Sequence, residues 1–330
     1  MRKRIEYIDF LKVIGLTGIM IAHAGSPDWL MMIRSFDVPL MVIISSLLAS
    51  HSIKKYGDDN KSILKYYVSR FKRLLIPTYI FLISYFIIQA LLTKKFFGVK
   101  YYLASFLLTR YGFKYVWIIL IYLYSAFLVP IYRRFGYHIK SIIVVLLIYI
   151  AYELLYFFGI GVSNKLVDTT IFYIVPYGML TFVGFNIEKM KKKEKNLLLY
   201  ISLSLFIFLS LYYHYKTGSF QLVQIAKYPP RIYYISYGLF CSILLIMICN
   251  RYKLKVFKNK LIVFISSHSM WIYLWHISML NVYKYFKLPE IWYIKLIFVY
   301  IISFIIVVLI NKLIDIIEAK HKYSFLKYLR

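Results

Sequence analysis

The feature that most constrains the fold is a series of apolar segments, each near the length that crosses a lipid bilayer. A helix needs about 20 residues to span the ~30 Å hydrocarbon layer. We identify ten such segments, at residues 8–24, 36–50, 74–93, 115–132, 139–160, 171–187, 197–215, 232–250, 261–282 and 291–317. Hydrophobic residues make up 62% of the 330 residues, against about 45–50% in an ordinary soluble domain. The sequence predicts an all-α polytopic membrane protein with about ten transmembrane helices.

The distribution of charge predicts how these spans are oriented. The chain has 42 Lys and Arg against 13 Asp and Glu, a formal net charge of +29. With the N-terminus inside, 28 of the 42 fall on the cytoplasmic side and 13 outside, while Lys12 lies within the first span. Because Lys and Arg mark cytoplasmic loops, we predict cytoplasmic N- and C-termini and a multi-pass protein of the cytoplasmic membrane. A single membrane domain over residues 1–330 is expected, with the lipid bilayer as its surroundings.

Two further features of the composition limit the possible partners. The basic residues are dispersed among short loops, with no soluble domain to dock a duplex, so nucleic acid is not an expected partner. Cys241 and Cys249 are too few for a disulfide framework or a metal site, and no metal is expected. The basic stretch 94–114, assigned outside, contains an apolar core that fits either an interfacial helix or a re-entrant piece. The oligomeric state, including a homo-oligomer, is left open.

Three ionisable residues lie in the first span, where each is a functional candidate because a charge facing lipid is costly. Asp9 and Lys12 are spaced i, i+3, which permits an ion pair near the cytoplasmic end. The alternative is that the two side chains only neutralise each other's charge at the membrane interface. His23 follows Lys12 by eleven residues, about three turns, so both lie on one face roughly 16 Å apart. His23 then falls near the extracytoplasmic end, where it is either a satisfied core histidine or a catalytic base.

Two later segments add polar side chains. Arg70 and Arg73 lie one turn apart before Pro77, at the predicted cytoplasmic mouth, where paired guanidinium groups can bind phosphates. Anchoring of a cytoplasmic loop explains them equally well. In the ninth span, the run from Ser266 to Ser269 precedes His276 by about two turns. Such polar runs either line a cavity or pack helices together.

These residues resemble the acyltransferase 3 family of integral membrane acyltransferases, in its small stand-alone form. The segment RIEYIDFLKVIGLTGIMIAHA is similar to the family's first helix, although the basic residue at Lys12 is often Arg in the family. The segment FDVPLMVIISSLLAS resembles its second helix, with Ser45-Ser46 where Ser-Gly is usual. RFKRLLIP resembles its paired-basic motif. KYVWIILIYLYSAFLVPI carries Trp117 where the family places a Trp, and SSHSMWIYLWH resembles its late signature.

The resemblance implies transfer of an acyl group, usually acetyl, from cytoplasmic acyl-CoA to a hydroxyl of a cell-surface or lipid-linked glycan. Acetyl-CoA, or another acyl-CoA, would be the donor substrate. The catalytic candidates are His23, Lys12, Asp9 and His276, and the cofactor-binding candidates are Arg70, Arg73, Trp117 and Ser269. Lys12 and Asp9 would hold the first helix, while His276 and Ser269 would orient the acceptor or polarise the thioester oxygen.

The chemistry of the transfer is consistent with His23 as the base. A sugar hydroxyl needs a base of near-neutral pKa to take its proton during attack, and histidine suits that task. A covalent acyl-His intermediate is the variant of this mechanism. The rival function is a transporter or flippase of a lipid-linked saccharide, since a bundle with buried charges also suits a polar cargo. Neither repeat halves nor a matched pair of broken helices is visible in the sequence to support it.

Overall fold

The computed structural model of the protein describes residues 4–94, 96–252, 254–320 and 325–329. Residues 1–3, part of the basic N-terminus that predicts the orientation, lie outside the described residues. The described residues form α-helices joined by short turns and 3₁₀ segments, without a β-strand. The α-helices are α1 (Glu6–His23), α2 (Asp28–Arg34), α3 (Asp37–Ile53), α4 (Asn60–Thr93), α5 (Val99–Phe106), α6 (Trp117–Phe135), α7 (Ile139–Phe157), α8 (Lys165–Thr169), α9 (Ile171–Asn186), α10 (Lys192–Thr217), α11 (Ile232–Arg251), α12 (Lys260–Ser267), α13 (Ser269–Tyr285) and α14 (Trp292–Lys320).

The helices confirm a multi-pass membrane protein. Within the described residues, eight helical stretches are long and apolar enough to cross a membrane, and the bent pair α12 and α13 makes a ninth. The remaining predicted span is α1, which carries Glu6, Asp9 and Lys12 among its 18 residues and is therefore less apolar. The all-α class is thus confirmed, while the orientation of the termini stays a prediction.

Two compact units are distinguished in the chain. The first consists of Met1–Pro27, Ser69–Ile119 and Leu254–Arg330. Within it α1 packs against α12, α13 and α14, and α13 packs along α14. The predicted interfacial or re-entrant piece is α5, which packs beside α4. The Tyr79 hydroxyl donates to the Phe106 carbonyl at 3.1 Å.

A sharp bend between α12 and α13 is the main irregularity of the first unit. The two helix axes differ by 77°, and the turn is made at His268, whose φ of −106° and ψ of 16° leave the helical region. The His268 ring nitrogen Nδ1 lies 2.8 Å from the carbonyl oxygen of Phe264. A bend of this kind exposes carbonyl groups at the end of α12 that need partners from elsewhere.

The second unit consists of Asp28–Val68 and Leu120–Lys253. Its centre is α3, which packs against α9 and α11. A Cβ atom on Gly184 would lie 2.3 Å from the Ile43 carbonyl oxygen, and one on Gly238 would lie 2.4 Å from Cγ of Pro39. Small residues therefore allow these helices to approach closely, as is usual in membrane bundles. A cluster of buried apolar and aromatic side chains, which includes Ile53, Tyr66 and Phe182, packs at the C-terminal end of α3.

Candidate functional site

Two histidines that are far apart in the sequence meet in the first unit. His23 is the last residue of α1, and His276 lies in the middle of α13. Nδ1 of His23 lies 2.8 Å from Nε2 of His276, and the rings are nearly parallel, with centroids 5.1 Å apart. The His276 side chain is completely buried, whereas His23 is half-buried. His23, the candidate base, is thus in direct contact with His276, another of the catalytic candidates from the sequence.

The hydrogen bonds around His276 fix the roles of the ring nitrogens. Nδ1 of His276 bonds to the carbonyl oxygen of Tyr273, and a carbonyl only accepts, so Nδ1 carries the proton. In a neutral His276, Nε2 is then an acceptor. It follows that Nδ1 of His23 donates to it, and that Nε2 is the basic nitrogen of a neutral His23. This assignment rests on the hydrogen-bond network.

Aromatic side chains surround the histidine pair. The Tyr115 ring meets His23 edge-on, with centroids 5.0 Å apart and an interplanar angle of 85°. The Tyr273 hydroxyl donates to the backbone carbonyl of Tyr115, which links α13 to the segment before α6. The Tyr273 ring also lies 4.9 Å from that of His276. The pair is therefore packed against two tyrosine rings.

At the opposite end of α1, Asp9 is the centre of a polar network. Its carboxylate accepts from Nε of Arg4 at 2.5 Å and from Nη2 at 3.1 Å. The Ser266 hydroxyl donates to the same carboxylate at 2.5 Å. The ion pair that Asp9 makes is therefore with Arg4, and not with Lys12 as its i, i+3 spacing permits. The reason is that Lys12 has a different acceptor.

Lys12 supports the broken helix. Its Nζ donates to the carbonyl oxygen of Ser266 at 2.7 Å, and Ser266 lies in the last turn of α12. The bend at His268 removes the intrahelical donor that this carbonyl would have in a continuous helix, and a cation is favoured at a helix C-terminus. Lys12 thus stabilises the bend that precedes α13, the helix that carries His276.

Arg4 is the residue of this network that sequence reasoning missed. Besides binding Asp9, Nη2 of Arg4 donates to the Val263 carbonyl at 3.0 Å and to the Ser267 hydroxyl at 2.8 Å. In the sequence Arg4 is one of several basic residues at the N-terminus, where anchoring explains it fully. Its position five residues before Asp9 is the only local signal for the pair.

The remaining sequence candidates lie on other helices of the same unit. Arg70 and Arg73 lie one turn apart on α4, the first half-buried and the second exposed, and the charge of Arg73 acts on Lys12. Trp117 begins α6, two residues after Tyr115, and Ser269 begins α13, two turns before His276. Their binding roles stay predictions. Among the described residues, no group of three or more His, Cys, Asp or Glu is arranged to hold a metal ion.

Comparison with known proteins identifies one family. The model of the acyltransferase 3 family, Acyl_transf_3, described as an acyltransferase domain, matches residues 5–313. This match includes every candidate residue named above except Arg4. Searches of curated proteins and of solved structures found no match.

Proposed function

Since the chain belongs to the acyltransferase 3 family and is a membrane acyltransferase, we propose that it transfers an acyl group from cytoplasmic acyl-CoA to a glycan. The acceptor is a hydroxyl of a cell-surface or lipid-linked glycan, the group transferred is acetyl, and the protein resides in the cytoplasmic membrane. The single observation that carries the proposal is the 2.8 Å contact between His23 and His276. It supplies the base that a sugar hydroxyl requires.

In the proposed reaction His23 is the general base. Nε2 of His23 takes the proton of the acceptor hydroxyl while its oxygen attacks the carbonyl carbon of the thioester. The carbon–sulfur bond then breaks, and Nε2 passes the proton to the departing CoA thiolate. The products are the acyl ester and free CoA, and His23 returns to its neutral form.

His276 is the positioning partner in this scheme. By accepting the Nδ1 proton of His23, it selects the tautomer in which Nε2 is basic and steadies the imidazolium that forms during attack. Its own Nδ1 proton is bonded to Tyr273, so a neutral His276 has no second N–H for the thioester oxygen. The geometry therefore favours orientation of the base over polarisation of the thioester as the role of His276.

The donor is proposed to bind at the other end of the unit. Arg70 and Arg73 present two guanidinium groups, which suit the phosphates of CoA, on the predicted cytoplasmic side. The pantetheine arm then carries the thioester along the bundle toward His23, and Trp117 and Ser269 are the proposed contacts for the donor. Arg4, Asp9 and Lys12 support this arrangement by holding the end of α12.

A direct test combines the purified protein in detergent, radiolabelled acetyl-CoA and the envelope glycans of cells that carry the gene. We expect label in an ester bond to the glycans and release of free CoA, whereas a flippase would produce neither. Intact-mass analysis of the protein incubated with donor alone distinguishes the two mechanistic variants. An added acyl group on His23 indicates the covalent intermediate, and an unmodified protein indicates direct transfer.

A further inference from the structure

Two buried indole groups on α13 lie close to the histidine pair. Trp275 directly precedes His276 in the chain, and Trp271 lies one turn earlier, toward the bend at His268. Nε1 is buried in both tryptophans, and neither N–H has a hydrogen-bond partner among the described residues. The exposed fraction of Trp271 is only 6%. Both indoles belong to the first unit, as do both histidines.

An unpaired indole N–H is unusual in the interior of a protein. The indole nitrogen can only donate a hydrogen bond, and a buried tryptophan usually finds an acceptor for it. A buried donor without an acceptor is unfavourable, because it has lost its hydrogen bonds to water. Two such donors on one helix therefore indicate that a bound molecule supplies the acceptors.

The spacing of the two indoles limits the kind of molecule that fits. Residues four apart lie on the same face of a helix, about 6 Å apart along its axis. Each indole is neutral and only donates. A matching ligand is therefore a neutral chain with two acceptor oxygens at a similar separation.

The pantetheine arm of acyl-CoA has this pattern. It contains two amide groups between the pyrophosphate and the thioester, and each amide carbonyl accepts hydrogen bonds. Four covalent bonds join the two carbonyl carbons, which are therefore about 5 Å apart in an extended chain. A sugar instead presents hydroxyl groups, which donate as well as accept. The pair of donors thus suits the acyl donor better than the acceptor.

The position of Trp275 also fits the path of the arm. Arg70 and Arg73, the proposed phosphate site, lie on α4. Phe81 follows Arg73 by eight residues, about 12 Å along the same helix. Its ring packs edge-on against that of Trp275, with centroids 6.4 Å apart. Within the first unit, α4 thus leads from the proposed phosphate site to Trp275, which adjoins His276.

We propose that Trp271 and Trp275 bind the pantetheine arm of the acyl donor by donating to its two amide carbonyls. The inference rests on the proposed function, because the donor is an acyl-CoA only in that case. Trp275 adjoins His276 and therefore donates to the inner amide, the one nearer the thioester, while Trp271 donates to the outer amide. The two bonds fix how far the arm enters the unit and so place the thioester carbon at His23.

The test measures the steady-state kinetics of the full-length protein in detergent, with envelope glycans as acceptor and four acetyl donors. Acetyl-CoA and S-acetylpantetheine contain both amides, and S-acetyl-N-acetylcysteamine contains only the inner one. S-pentyl thioacetate matches the length of the last and contains neither. Trp271→Phe and Trp275→Phe each remove one N–H and keep an aromatic ring. Trp29→Phe, at an exposed tryptophan of α2, is the matched control.

Each variant should raise the KM only for the donors whose amide it contacts. Trp271→Phe should raise the KM about fivefold for acetyl-CoA and S-acetylpantetheine, and leave that for S-acetyl-N-acetylcysteamine unchanged. Trp275→Phe should raise the KM about fivefold for all three amide donors. Because these bonds are made equally in the ground state and the transition state, kcat should stay within about twofold of the wild type. Trp29→Phe should match the wild type with every donor.

Three results would overturn the inference while the proposed acyl transfer still holds. The first is an unchanged KM for every donor in both variants, and the second is a rise in the KM for the glycan alone. The third concerns the wild type, which should use S-acetyl-N-acetylcysteamine about fivefold more efficiently than S-pentyl thioacetate. Equal use of these two donors overturns the inference even if both variants fail to fold. Absence of transfer from acetyl-CoA in the wild type instead contradicts the proposed function and the inference together.

Discussion

Two regions of this protein hold cationic side chains in different ways. Around α12, Lys12 donates to a helix-end carbonyl, and Arg4, which reaches solvent, binds Asp9. At the start of α3, Arg34 is buried in an ion pair with Asp37, and the charges of both act on the buried Lys227. The first arrangement holds the end of α12 and so stabilises the bend before His276, whereas the second lies where α2 ends and α3 begins. Both regions thus fix helix ends by buried charges, but only the first belongs to the helix that ends at His23.

The largest effect is expected from His23→Ala, which removes the proposed general base at the end of α1. Loss of a general base lowers the rate about 10²–10⁴-fold, while acyl-CoA binding at the arginines should be unchanged. Radiolabel transfer and donor binding are measured on the same purified preparation. His214→Ala, an exposed histidine of α10, is the control. Near-normal transfer by His23→Ala would contradict the role of His23 as general base and indicate a structural role.

The next effect is expected from His276→Phe, which keeps an aromatic ring but removes the acceptor of the His23 Nδ1 proton. Since His23 then loses its preferred tautomer and orientation, we expect kcat to fall about 10²-fold with little change in the KM for acetyl-CoA. Trp275→Phe, the neighbouring aromatic position on α13, tests whether any change in packing has the same effect. Equal losses in both variants would argue against a specific role for the imidazole.

Neutralising Arg70 and Arg73 tests donor binding apart from chemistry. Each charge-assisted hydrogen bond is worth about 1.5–3 kcal/mol, so Arg70→Gln and Arg73→Gln should each raise the KM for acetyl-CoA about tenfold while kcat stays the same. Lys72→Gln removes an exposed charge between them and is the matched control. The KM and kcat of each variant are measured by titration with acetyl-CoA. If Lys72→Gln raises KM by the same factor, general attraction by a basic surface explains the result.

The smallest effect is expected for Lys12, whose contact with the reaction is indirect. Lys12→Met leaves the Ser266 carbonyl without its donor, which should lower the stability of the helix end by about 1 kcal/mol and the transfer rate a few-fold. Lys12→Arg keeps a cationic donor and should recover both. The comparison uses thermal unfolding and turnover of the three proteins. A lower rate in Lys12→Met without rescue in Lys12→Arg would contradict the positioning role.

Much of the fold could be predicted because long apolar segments in a bilayer must form helices. The span boundaries from residue 171 onward agree with the helices within a few residues. The sequence also placed Lys12 and His23 on one helix, since both lie in one short segment. The bend at His268 was not predicted, because the run of Ser266 to Ser269 fits both a continuous and a broken helix.

The contacts that build the site depend on tertiary packing and could not be derived from spacing. His23 and His276 are separated by 253 positions, and only the packing of α1 against α13 brings them together. The choice of Arg4 over Lys12 as the partner of Asp9 follows from the exposed carbonyl of α12, which attracts Lys12.

The central claim is that His23 and His276 act as one catalytic unit. Its most direct test is the transfer rate of His23→Ala, His276→Phe and the double variant, measured with the wild type in a single assay. Residues that act as a unit are strongly non-additive, so we predict that the double variant is no slower than His23→Ala alone. If the two losses multiply in the double variant, the histidines contribute independently and the account is contradicted.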